Sequence, residues 1–327
     1  MNTQHAKSPC CQIKVYRFGR RRRQCVGCKH TWSVRLKKRG RPRIRVPSQL
    51  LSQVFLKRTT LRNLLHRRFS LTLPAFRYRF RQALHRWTER PYPHAIPSGP
   101  LILLADALWF RFKGRYWILY LTALKARANS TALFLDPILL PDKEGASKWQ
   151  YVFSKLPAQA NIQAIVVDNL NGMAKIAAQR HWVLQLCHFH LLMKFEGRHQ
   201  RRLIGGHIRY ELFRLIRQAL ELPEGVPLQR CLTRLIVLAK HPALSPRIQA
   251  MLRKLLQSLS YHRAYRSYPN LRLPTTNNAV ESMAGLIRDL LRRNRPGSNP
   301  RALLLWTTAF IRMRPRIICN GKHFQQI

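Results

Sequence analysis

Acidic residues are what this sequence lacks. Twelve aspartates and glutamates stand against sixty lysines and arginines in 327 residues, a formal net charge of +48. Self-repulsion on that scale needs a polyanion to offset it, and nucleic acid is the polyanion to expect. Long apolar runs are also missing. No stretch of about 18 apolar residues is present to cross a bilayer, so a membrane role is excluded as an expectation. The first residues, Met1 to His5, have none of the apolar core of a secretory signal, and a cytoplasmic location is expected. Cysteine is scarce. Cys10, Cys11, Cys25 and Cys28 cluster near the start, while Cys187, Cys231 and Cys319 are scattered. In a reducing compartment such a cluster reads as metal binding rather than disulfides. What is plentiful is apolar residues, at 46%, enough to fold the chain into two or three units.

The N-terminal module, residues 1–45, is organised around those cysteines. Cys25-Val-Gly-Cys28 has the spacing of a zinc knuckle, in which two thiolates reach a tetrahedral Zn²⁺ at about 2.3 Å. The other half is irregular, because Ser8 stands where a Cys-Pro-x-Cys knuckle would begin. Cys11 is the natural third ligand, and the fourth is open among Cys10, His5 and His30. A degenerate ribbon without metal is the competing expectation. Arg20, Arg21, Arg22 and Arg23 lie between the cysteine pairs, and Arg39-Gly-Arg41-Pro-Arg43 follows them. The second segment is similar to an AT-hook, whose arginines enter a narrow minor groove. As a plain basic linker it would touch phosphates alone.

Residues 46–90 read as three helices. Leu50, Leu51, Val54 and Phe55 mark the first, Leu61, Leu64, Leu65 and Phe69 the second. The third runs from Phe76 to Trp87, with Phe76, Phe80, Leu84 and Trp87 on one face and Arg77, Arg79 and Arg81 on the other. Pro74 suits its start. Such a trio suggests a DNA-binding helix-turn-helix, or else a small helical linker. Residues 91–100 contain four prolines and mark a domain boundary.

Beyond it, residues 101–190 alternate between strands and helices, which argues an α/β sheet. One apolar run ends around Asp106, and a second strand follows at Tyr116 to Leu124. A third is expected at Ala132 to Leu135, and a helix near Ser147 to Leu156. The β-branched run ending in Val166-Val167-Asp168 is a buried strand, and an apolar run closes on Cys187-His-Phe-His190. Residues 191–272 read as a basic helical insertion. In 273–327, Thr275-Thr-Asn277-Asn278 precedes a helix that Thr275, Thr276 or Asn277 can cap, with Glu281 near its start. Singly, each acid has an ordinary role: Asp168 as a helix cap, Glu281 as a complement to the helix dipole. Together, Asp106, Asp168 and Glu281 form an oxygen-donor set suited to two Mg²⁺ or Mn²⁺ ions acting on a phosphodiester.

The order Asp106, Asp168, Cys187-x-x-His190, Glu281, with Val-Val-Asp168-Asn-x-x-Gly and Thr-Thr-Asn-Asn-x-x-Glu-Ser, resembles Mutator-like bacterial insertion-sequence transposases of the DDE class. The match spans roughly Leu101 to Arg314. The resemblance implies a ribonuclease-H-like catalytic core with a helical insertion before the last acid, preceded by a zinc ribbon and a helix-turn-helix. It implies Asp106, Asp168 and Glu281 as catalytic Mg²⁺ ligands. Cys187 and His190 would support them by positioning DNA or bracing the core rather than by binding zinc. Its partners would be double-stranded DNA, both transposon ends and target, bound as a homo-oligomer. A structure-selective nuclease on the same fold, or an inactive DNA-binding relative, are the alternatives.

Overall fold

The chain begins with three small antiparallel strands, β1 (Val15–Arg17), β2 (Arg22–Cys25) and β3 (Thr31–Ser33). Val15 pairs with Cys25 and Arg22 with Ser33. Cys25 ends β2 and Cys28 lies in the turn to β3, while Cys10 and Cys11 lie in the turn before β1. The computed structural model describes residues 7–18, 22–33, 46–68, 71–127, 130–196, 206–295 and 299–319. His5, Phe69, Arg20, Arg21, Arg39, Arg41 and Arg43 lie outside the described residues. Two compact units emerge, Met1–Arg45 and Val46–Ile327.

The second unit opens with α1 (Ser48–Phe55), α2 (Leu61–Arg68) and α3 (Leu73–Thr88). Pro74 lies in the first turn of α3, where its missing N–H costs nothing. Phe76, Phe80 and Leu84 recur at i, i+4 and i+8 and are fully buried. Arg77 and Arg81 point out to solvent and Arg79 is half-buried.

A two-residue turn joins the long hairpin of β4 (Leu101–Phe112) and β5 (Arg115–Ala126). Lys113 and Gly114 both have positive φ, 47° and 81°, as a type I′ turn demands, and Gly114 takes that conformation without strain. Then come β6 (Thr131–Phe134), β7 (Ile138–Pro141), α4 (Ala146–Ser154), β8 (Ile162–Val167), α5 (Met173–Gln179) and β9 (Val183–Leu186). Helices α6 (His188–Glu196), α7 (Gly206–Glu221), α8 (Val226–Ala239), α9 (Pro246–His262) and α10 (Ala264–Ser267) follow. The chain finishes its described part with α11 (Asn278–Asn294), α12 (Pro300–Met313) and β10 (Arg316–Ile318). The sheet order is β10-β6-β5-β4-β8-β9, with β7 beside the far end of β5. Pairing is antiparallel from β10 to β4 and parallel from β4 to β9, so the fold is mixed α/β around a mixed sheet.

Alternation along β4 feeds two cores, as the two faces of a pleated strand must. Ile102, Leu104 and Leu108 pack toward α11, α12 and the first three helices. Leu101, Leu103 and Ala105 pack toward α4 and α5. A third core lies within α6 to α9, where Phe195, Leu215, Ile216, Leu235, Ile248 and Leu252 are buried together. The helical insertion therefore has a hydrophobic interior of its own.

Two expectations need correction. Asp106 is not at a strand end: β4 continues six residues past it, because Leu108 still faces the core and β5 still supplies partners. The proline-rich segment is not a boundary between compact units. Phe55 and Phe80 pack on Trp306 of α12, at centroid distances of 5.7 and 5.4 Å, and merge the helical trio into the sheet's own core. The Tyr92 hydroxyl donates to the Phe134 carbonyl, and His94 Nε2 lies 2.9 Å from the Arg312 carbonyl oxygen, holding the segment down. Trp306→Ala should therefore cost about 3–5 kcal/mol, the scale for emptying a buried aromatic site. Chemical denaturation should lose α1–α3 and the sheet in one transition. Separate transitions for the two would contradict the shared core.

Candidate active site and metal-binding clusters

The β4–β8 pairing brings two distant acids together. Leu104 pairs with Val166 in parallel register, so two residues further on Asp106 comes alongside Asp168. Asp168 is the first residue after β8, and its Oδ1 accepts the Asn169 N–H at 2.6 Å and the Lys194 ammonium at 2.9 Å. Asp106 Oδ1 accepts the Ala107 N–H at 2.7 Å. The two carboxyls respond oppositely to this shared site. Burial raises Asp106 above the usual carboxylate range, against the attraction of His190. Burial also acts upward on Asp168, but the Lys194 charge and hydrogen bond outweigh it and hold that group below the usual range.

Glu281 reaches the site from α11, and Asn277 sets where that helix starts. Asn277 was expected among the capping candidates, yet its side chain does not cap the helix. Fully buried, it donates from Nδ2 to the Ala105 carbonyl at 2.6 Å, one residue from Asp106. Its backbone N–H points at Cys187 Sγ, 3.3 Å away. Cys187 is held in turn by its own N–H on the Val167 carbonyl at 2.9 Å, next to Asp168. These bonds tie the start of α11 to both acid-bearing strands. Burial pushes Glu281 up to about 7, opposed by His190 and reinforced by Asp106 and then Asp168. Glu281 thus feels the charges of both strand acids.

Cys187 and His190 belong to the same cluster. His190 Nδ1 is 3.5 Å from Glu281 Oε1, and Cys187 Sγ is 3.9 Å from it. Ligand atoms of Cys187, His190 and Glu281 all fall within 4.8 Å of one another, a set able to hold a metal ion. Counting ligands along the chain gives only the two residues of Cys-x-x-His; folding supplies the third from α11. Burial raises the Cys187 thiol to about 12, so the thiol is protonated at neutral pH.

A fourth acid has no sequence signal. Glu144, in the turn before α4, accepts the Trp149 indole N–H at 2.8 Å. Burial raises its carboxyl and the indole bond opposes this, while Asp106 and Asp168 raise it further. In the sequence it sits in Pro-Asp-Lys-Glu144-Gly, which reads as an ordinary polar turn. The indole partner five residues on is the only local hint.

In the N-terminal unit, Cys10, Cys11, Cys25 and Cys28 present their sulfurs within 4.8 Å of one another, compatible with structural Zn²⁺. Cys10 Sγ is 3.3 Å from Cys28 Sγ, so Cys10 joins as the fourth member. Ser8, buried at the missing cysteine position, accepts the N–H groups of Cys11 and Ile13 at 3.2 and 3.3 Å. The Ser8 hydroxyl lies 3.4 Å from Cys25 Sγ and lowers that thiol to about 6, which favours the thiolate a metal needs. Ser8 thus keeps the loop geometry of a knuckle without supplying a ligand.

No protein-family model and no curated protein matches the chain. Among the described residues no helix is long and apolar enough to cross a membrane.

The purified chain should carry about one equivalent of zinc, and Cys25→Ser should release it and unfold the small sheet. Metal analysis that finds no zinc in the wild type would remove the metal and leave a hydrogen-bonded thiol cluster.

Proposed function

We propose that the chain is a DNA transposase of the Mutator-like DDE class, built on a ribonuclease-H-like core. The observation that carries this reading is the parallel register that sets Asp106 beside Asp168, with Glu281 on α11 close enough to feel both charges. Their mutual electrostatics match a site waiting for positive charge. The sheet supports it as well: an antiparallel hairpin leads into two parallel strands, with Asp106 on β4 and Asp168 just past the end of the neighbouring β8.

Asp106, Asp168 and Glu281 would hold Mg²⁺ or Mn²⁺, since hard cations take carboxylate oxygens. Two such ions, when bound, activate an attacking oxygen and stabilise the leaving one at a phosphodiester. The chain's own residues prepare that site. Asn277 fixes the approach of α11 to β4. His190, within 3.5 Å of Glu281 Oε1, favours its ionised form. Lys194 neutralises Asp168 and, being exposed on its outer side, can exchange that carboxylate for a DNA phosphate.

Affinity for DNA comes from the excess of 48 positive charges. Arg22 and Arg23 on β2 and the face of α3 bearing Arg77, Arg79 and Arg81 are the described parts of the grip on transposon ends. Water would first cut at those ends, and the freed 3′-hydroxyl would then attack target DNA. Joining two ends to one target calls for a homo-oligomer on the DNA.

Asp168→Asn tests this directly. With DNA flanking the gene as substrate and Mg²⁺ present, the variant should bind as well as wild type. It should cut and join at least about 10²–10³-fold more slowly, the scale for removing one electrostatic group from a reacting centre. Wild type that cuts but never joins would make the protein a nuclease on the same core. Full activity in the variant would remove the carboxylate mechanism.

A further inference from the structure

A pocket of about 310 Å³ opens beside the carboxylates, between the helical insertion and the loop after β8. Asn169, Lys194, Arg247 and Lys254 line it together with Phe195, Met251 and Leu255. The position is set by hydrogen bonds across the gap. Lys254 Nζ donates to Asn171 Oδ1 at 2.9 Å, and the Asn169 amide lies 3.5 Å from Ser258 Oγ. Gln185 Nε2 and His188 Nε2 hold the His262 carbonyl at 2.9 and 2.7 Å, pinning the end of α9 to β9. The pocket is thus a fixed feature of the fold, and Lys194 links it to Asp168 at 2.9 Å.

Its chemistry is two-sided. Lys194, Arg247 and Lys254 are exposed and give the side that meets solvent three positive charges. Phe195 and Leu255 are buried, Met251 is half-buried, and together they give an apolar interior. Among the described residues no acid lines the pocket. At this volume it lies at the small end of ligand sites, wide enough for one ring system and far too small for a duplex. The occupant must be flat and apolar in its body, anionic where it leaves the pocket, and present at the carboxylates. A nucleotide of a DNA strand meets all three conditions.

We propose that this pocket receives one base of the DNA strand, turned out of the helical stack beside the phosphate to be cut. The idea rests on the strand-cutting reading above. Contact with Phe195 and the apolar interior offsets the stacking that is lost, and the three cations hold the phosphates on either side of the displaced sugar. The insertion then has a role at the site: α9 and α6 supply a wall that the sheet alone does not have.

The test uses the full chain and a duplex of the DNA flanking the gene, with 2-aminopurine placed singly at successive positions across the cleaved phosphate. Binding is followed in Mg²⁺-free buffer, so that no cutting intervenes. One position next to that phosphate should brighten several-fold on binding. Met251→Trp, which fills the pocket, should remove the brightening, and Lys254→Ala should weaken it, with both variants checked by thermal melting. In Mg²⁺, Met251→Trp should cut intact duplex poorly but cut a duplex lacking the base at that position as fast as wild type. No position-specific brightening in the wild type, or brightening undiminished in Met251→Trp, overturns the proposal. Wild type that brightens one position and never cuts would sink the strand-cutting reading and leave the base pocket standing.

Discussion

The parallel pairing of β4 with β8 is the constraint on which the site depends. It buries two β-branched and leucine-rich strands side by side and, by register alone, brings Asp106 up to Asp168. Nothing in the local chemistry of either acid favours that meeting. Asn277 extends the constraint to a third element by donating its side-chain amide to the carbonyl before Asp106. The resulting cluster is costly. Raising Glu281 from its ordinary 4.5 to about 7 means that ionising it in the fold costs about 3 kcal/mol at and above neutral pH. The sign follows from linkage: the folded state holds the proton more tightly, so stability falls as pH rises from about 4.5 through about 7. Below that window the carboxyl is protonated whether folded or unfolded, and the cost vanishes. A cation bound beside Glu281 would remove that cost.

The rest of the molecule distributes around that point. The helices α1–α3 and α12 close one face of the sheet, and α4 and α5 close the other. The insertion keeps a separate core and touches the site through Lys194, Ser258 and Lys254. The helix α11 that carries Glu281 packs in the same core as Trp306, so the site is braced by the residues that stabilise the sheet.

Much of this was legible in the sequence. The runs Leu101–Ala105 and Ala164–Val167 are continuous, apolar and buried, the mark of strands covered on both faces. The periodic Phe76, Phe80 and Leu84 marked α3. What escaped did so for physical reasons. Asp106 interrupts an apolar run, so it looks like a strand end, yet the backbone ladder ignores side-chain polarity and carries β4 onward. The three-residue β10 has no pattern of its own and exists because β6 offers an open edge. The prolines of residues 91–100 signal a break in regular structure, but Tyr92 and His94 convert that break into a strap. Glu144 looked like turn polarity, and its meaning came from Trp149 and from acids far away in the chain. Asn277 appeared to be a cap because caps are local, whereas its partner lies 172 positions earlier. Long-range polar pairing was the part that sequence pattern did not carry.

The proposed chemistry requires Asp106, Asp168 and Glu281 to form one cation site. Anomalous diffraction from crystals of the wild-type chain grown with Mn²⁺ measures that most directly. Two manganese peaks coordinated by oxygens of these three carboxylates are predicted, with both lost in Asp106→Asn. Manganese bound elsewhere with this cluster empty, or peaks that persist unchanged in the variant, would contradict it.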